Sequence, residues 1–130
     1  PKGLSAVATM CDRYETEKQV DATLNWSNGE TLSFTVSADA ALCQSLTVLG
    51  SHGWAKLNVP VNPPEKTSAY WSNGGLQKGS KVEFPACNHY QLMVEEFVAC
   101  SESGEKSDFI FSKIITKAIN EIQKIAGLTI

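Results

Sequence analysis

The side chains with the widest chemical repertoire in this chain are two histidines, His52 and His89, and four cysteines, Cys11, Cys43, Cys87 and Cys100. Two imidazoles and a carboxylate, here Glu95 or Glu96, can in principle run the acid and base steps of phosphodiester cleavage, as small secreted ribonucleases do. Developing phosphate charge also calls for placed Arg or Lys, and the lone arginine, Arg13, is distant in sequence from all of these groups. A ribonuclease-type hydrolase using His52 and His89, with Glu95, is therefore the alternative reading rather than the leading one.

Other chemistries have less behind them. Nucleophilic hydrolysis lacks a Gly-x-Ser-x-Gly elbow or a cysteine-protease context. The carboxylate pairs Glu95-Glu96 and Glu15 with Glu17 read as solvated charge, and Glu95 and Glu96, as neighbours on a strand, would point to opposite faces and could not flank one bond. Gly74-Gly75 lacks the lysine and following helix of a phosphate-binding loop. Cys87-Asn88-His89 lacks the closely spaced ligand pairs of a structural zinc site. No catalytic residue, metal or cofactor is expected.

Flat aromatic rings beside amides remain, and sugar-binding surfaces combine these two groups. Trp71 with Asn73 and Tyr70, together with Trp54, form the candidate binding set. Trp26 and Asn28 have similar chemistry, but the strand pattern around them predicts that Trp26 is buried beside Leu24. The leading expectation is a recognition protein, effector-like or toxin-like in general composition, that binds a protein or a glycan without catalysis. Lipid carriage is a third class and requires a dry cavity under the C-terminal helix.

Composition narrows the partners. Eleven basic against 14 acidic residues, with no basic run, speak against nucleic acid and against an anionic membrane surface. No apolar run reaches the ~20 residues needed to span a bilayer as a helix. Four cysteines without a Cys-x-x-Cys pair predict two disulfides and an oxidising, extracellular location. A start at Pro1 fits a removed signal peptide, and Asn25-Trp26-Ser27 is an acceptor for N-linked sugar. A monomer is expected.

These residues must be held by elements, and 130 residues suffice for a single domain over 1–130. The pattern predicts an α+β fold, mainly antiparallel sheet, with a long amphipathic helix packed on it. Phe111, Ile114, Ile115, Ala118, Ile119, Ile122, Ile125 and Ala126 recur at helical spacing, so this helix should run from about Asp108 to Ala126. Ser107 and Asp108 suit its start, and Gly127 its end.

A hairpin follows from Val20, Ala22, Leu24 and Trp26 answered by Leu32, Phe34 and Val36. A two-residue Asn28-Gly29 turn would set the apolar sets on opposite faces. A three-residue loop, Ser27-Asn28-Gly29, pairs Leu24 with Leu32 and places Asn25 outward. Trp-Ser-Asn-Gly recurs at 71–74, which reads as a reused turn rather than a duplication.

A shorter helix is expected near residues 38–49, capped by Ser37 and carrying Leu42, Leu46 and Leu49. Strands are expected over Trp54–Val61, Lys81–Phe84 and Tyr90–Cys100. The last stretch is too long for Cys87 to bridge Cys100, which leaves Cys11 with Cys87 and Cys43 with Cys100, or Cys11 with Cys100 and Cys43 with Cys87.

Overall fold

In the computed structural model of the protein, residues 1–14, 16–75, 79–104 and 110–128 are described. Glu15, Ser107 and Asp108, which entered the expectations above, lie outside them. The fold is α+β, with two antiparallel sheets and two helices among the described residues. The chain divides into two compact units. One comprises Pro1–Ala41 with Asp108–Ile130, and the other is Leu42–Ser107, which interrupts the first in sequence.

The first unit contains β1 (Gly3–Cys11), β2 (Thr16–Asn25) and β3 (Thr31–Ser37), in spatial order β1-β2-β3, and helix α2 (Ile110–Ile125). Alternation makes the sheet two-faced. Leu4, Ala6, Val20, Ala22, Leu24 and Phe34 fall on one side, and Ile122 of the helix packs into them. Ala22 and Leu24 are 5% exposed and Ile122 8%, so the core of this unit is centred there.

The hairpin register is the one its alternation requires. Val20 faces Val36, Ala22 faces Phe34 and Leu24 faces Leu32. Trp26 N donates to Glu30 O at 2.9 Å and Gly29 N to Trp26 O at 3.1 Å, which closes the three-residue loop. Gly29 has φ 90°, a region where a side chain is strained. Trp26, expected beside Leu24 in the interior, is instead exposed, because the chain has already begun to turn there.

Helix α2 ends in a double hydrogen-bonded cap. Gly127 N donates to Lys124 O at 3.3 Å and Leu128 N to Gln123 O at 2.9 Å, with Gly127 at φ 76°. This arrangement satisfies carbonyls that a helix end leaves open and turns Leu128 back toward the sheet.

The second unit contains β4 (Leu46–Gly50), β5 (Gly53–Leu57), β6 (Ser68–Ser72) and β7 (Ser80–Glu83), neighbours in that order, followed by helix α1 (His89–Ser103). Here three expectations are corrected. The shorter helix near residues 38–49 does not form: residues 38–45 are irregular, and Leu46–Gly50 is a strand paired to β5 across a two-residue Ser51-His52 turn. The β-branched run Thr47-Val48 suits a pleated strand, and its helical leucine spacing was coincidental.

Tyr90–Cys100, expected as a strand, belongs to α1. Asn88 decides this locally: its Oδ1 accepts from Tyr90 N at 3.1 Å and Gln91 N at 3.2 Å, while Gly104 terminates the helix in the left-handed region at φ 69°.

The third correction concerns the cysteines, all four of which are free thiols, so disulfide stabilisation of the fold is not supported. Cys100 Sγ is engaged differently, donating to Glu96 Oε1 at 3.5 Å one helical turn earlier. Cys87 precedes the α1 cap and Cys100 lies near the end of the helix, so the exclusion of a Cys87–Cys100 bridge stands.

Candidate functional site

The aromatic set is carried by the sheet of the second unit, and pairing assigns each residue to a face. Trp54 pairs with Ser72, Ala55 with Trp71, Lys56 with Tyr70 and Leu57 with Ala69. Across β6, Tyr70 meets Lys81, Ala69 meets Val82 and Trp71 meets Ser80. Directly paired residues share a face, so Trp71 lies with Val48, Ala55, Ala69 and Val82, while Trp54 and Tyr70 lie on the other face with Lys56 and Lys81.

The four candidates therefore do not form one site. Trp71 is 48% exposed, and Asn73, two residues on and beyond the end of β6, is also exposed. These two make an accessible indole-amide pair at one end of an apolar sheet face. Trp54 is half-buried, and its ring covers Gly79: a Cβ there would come within 2.7 Å of Trp54 Cη2. Its role is packing against backbone.

Tyr70 is half-buried between Lys56 and Lys81 in the cross-strand row. Lys81 Nζ binds Glu83 Oε1 at 2.6 Å, which holds the ammonium above its usual range and the Glu83 carboxyl below its own. The two lysines flanking Tyr70 were not singled out in the sequence, since only non-local strand pairing brings them together.

The local Ser72-Gly74 geometry differs from that of its sequence twin. Ser72 Oγ donates to Gly74 O at 3.0 Å and accepts from Gly74 N at 3.3 Å. The pairing of Trp71 with Ser80 encloses residues 72–79, against residues 27–29 between Trp26 and Glu30. The shared tetrapeptide thus opens two connections of different length, so its two copies do not form the same turn.

The two histidines have separate partners. His52 is exposed in the β4–β5 turn, its Nδ1 2.8 Å from Ser51 Oγ. His89 opens α1, and its ring centroid is 4.1 Å from that of Tyr90, with Nε2 buried and unbonded. Glu95 accepts from Gln91 Nε2 at 2.7 Å on the same helix. Among the described residues no group of three His, Cys, Asp or Glu side chains can hold a metal ion.

Two further surfaces belong to the first unit. Opposite the apolar side of its sheet, Ser5, Val7, Asp21, Thr23, Ser33 and Thr35 line an open depression of about 420 Å³. Thr23 Oγ1 lies 3.0 Å from Ser33 Oγ, and Asp21 accepts from Thr35 Oγ1 and, at 2.7 Å, from Gln19 Nε2. These two bonds, Thr35 first, hold the Asp21 carboxyl below its ordinary range. Asn25 is exposed at the end of β2, with Oδ1 accepting from Thr31 Oγ1 at 2.9 Å.

Between α2 and the sheet, Val20, Phe34, Val36, Ile119, Ile122 and Leu128 line a cleft of about 170 Å³. A cavity of roughly 150 Å³ admits a guest the size of benzene, so this cleft is too small for an acyl chain of carrier length. No helix among the described residues is long and apolar enough to cross a membrane. No family model matches this chain, and neither a curated protein nor a solved structure matches it.

Proposed function

We propose that the protein is a secreted recognition protein that binds a protein or glycan partner without catalysis, with Trp71 as its central contact. The observation that carries this reading is the half-exposed indole of Trp71 beside the exposed amide of Asn73, on an open sheet face. A flat aromatic ring next to an amide suits the alternating apolar faces and hydroxyls of a saccharide, which favours the glycan class. The extracellular part of the proposal rests on the Asn25 acceptor, since free thiols give it no support.

The separate engagement of His52 and His89 counts against the hydrolase alternative, in which Glu95 would have to join them. The proposal is tested by titrating neutral oligosaccharides of several linkage types while following indole fluorescence and side-chain NMR shifts. Binding lost in Trp71→Ala and kept in His52→Ala and His89→Ala is the expected result. Turnover of RNA abolished by His89→Ala, or sugar binding unaffected by Trp71→Ala, would overturn it.

A further inference from the structure

We propose that Asn73 is a self-modifying site, where attack by the Gly74 backbone nitrogen converts the side-chain amide to a carboxylate faster than the same reaction runs at Asn28. Asparagine precedes glycine at two places in the chain, Asn28-Gly29 and Asn73-Gly74. Glycine favours this chemistry because no Cβ obstructs its nitrogen and its backbone reaches conformations closed to other residues. Both pairs belong to the same tetrapeptide, Trp-Ser-Asn-Gly, both are exposed, and both glycines have positive φ, 90° at Gly29 and 115° at Gly74. Local sequence therefore ranks them equal, and their hydrogen bonds separate them.

The step consumes one water and releases one ammonia. Hydroxide takes the proton of the Gly74 amide, the nitrogen bonds to Asn73 Cγ, and the side-chain nitrogen leaves as ammonia with a proton returned from water. A cyclic imide remains, which water opens at either carbonyl. Cleavage of the new bond to Cγ gives aspartate. Cleavage of the original peptide bond gives isoaspartate, in which the main chain runs through the former side chain and is one methylene longer.

At Asn28 this path is blocked twice. Gly29 N, the nucleophile, donates to Trp26 O at 3.1 Å in the bond that closes the hairpin loop. Asn28 Oδ1 accepts from Glu30 N at 3.3 Å, which turns the amide toward Glu30. Gly74 N is held by a side chain instead, donating to Ser72 Oγ at 3.3 Å, while the same hydroxyl donates to Gly74 O at 3.0 Å. A serine hydroxyl swings away by rotation about χ1 and leaves the backbone pairing intact. The Asn73 side chain has no hydrogen-bond partner among the described residues.

The products would act on the sheet of the second unit. Gly53 opens β5 hard against this turn, where a Cβ would meet Asn73 Cα at 3.0 Å. Main chain packed so closely has no room for an added methylene, so isoaspartate at 73 should draw the end of β6 away from β5, where Ser72 pairs with Trp54. Either product sets a carboxylate beside Trp71 in place of the amide. The modification does not depend on what Trp71 binds.

The test is to age the full chain in mildly alkaline buffer, with and without urea, and to map the products by peptide mass spectrometry with chromatographic separation of aspartate from isoaspartate. In the folded protein, conversion at Asn73 should outrun conversion at Asn28 several-fold. In urea the two rates should converge, because the tetrapeptide is the same and the bonds that distinguish the sites are gone. Each conversion adds one negative charge to the formal net charge of -3, so ion exchange follows the reaction on intact protein. Asn73→Gln, whose longer side chain closes a ring far less readily, should remove the fast part of that charge shift. Equal rates in the folded chain, a faster Asn28, a difference that persists in urea, or a fast charge shift that survives Asn73→Gln would each overturn the proposal.

Discussion

Trp26 N donates to Glu30 O at 2.9 Å, and this single bond defines where the β2–β3 hairpin stops being sheet and becomes loop. Three residues fit between the bonded pair, and the third, Gly29, takes φ 90° with nothing within 4 Å of where a Cβ would stand. The cost of a side chain there is conformational rather than steric. Gly29→Ala should destabilise the protein by about 1–2 kcal/mol, and Ser27→Ala in the same loop by less than about 0.5 kcal/mol, in parallel urea titrations.

Ile122 is the one buried residue of α2, packed against Ala22 and Leu24. Truncation removes its transfer energy and leaves a void that its neighbours can only partly close. Ile122→Ala should cost about 2–4 kcal/mol by denaturant unfolding, and Ile122→Val about 1 kcal/mol. Equal, small losses for both would show that α2 is not anchored at this position.

Asp21 has its carboxyl held low by the Thr35 hydroxyl and the Gln19 amide. A carboxylate whose folded value is depressed contributes stability that is present above its unfolded range and disappears as pH falls through the folded value. The loss should therefore set in below about pH 4. NMR titration of Asp21 should give a midpoint below the ordinary aspartate range, and Thr35→Val should move it upward. An unchanged midpoint in Thr35→Val would remove the assigned cause.

Free thiols make a direct chemical prediction. Denaturing alkylation without reductant should add four adducts, and reduction beforehand should add none beyond them. In the folded protein Cys100 should react slowest, because its hydrogen bond to Glu96, burial and the nearby negative charge all raise its thiol above the ordinary range. Glu96→Gln should speed Cys100 alkylation a few-fold near pH 8, with the rates at Cys43 and Cys87 unchanged.

Legibility from sequence followed locality. The hairpin register could be derived because alternation and one glycine fix it within 17 residues, and α2 could be found because its isoleucines keep helical period over four turns. The misread elements, 38–49 and 90–100, are short apolar stretches where leucines, valines and aromatics satisfy both periods. For α1 a decisive signal was present, in Asn88 and Gly104 bracketing the run, and it outweighs the strand preference of Val94 and Val98.

The candidate site was legible by composition and not by placement. Tyr70 and Trp71 are adjacent on one strand, which alone separates them onto opposite faces. That Trp54 covers Gly79, or that Lys56 and Lys81 flank Tyr70, depends on pairings between β5, β6 and β7 that no local pattern encodes.

Because residues 42–107 form a unit of their own between β3 and α2, the order of synthesis separates the two halves of the first core. Ala22 and Leu24 leave the ribosome about a hundred residues before Ile122, the side chain that covers them. Throughout that interval the apolar side of the β1–β3 sheet lacks the side chain that covers it. Closing contacts at such separation is slow, so the nascent chain passes through a half-made state with a greasy sheet surface. Production of this protein should accordingly respond more to chaperone supply and translation pace than its modest size would suggest.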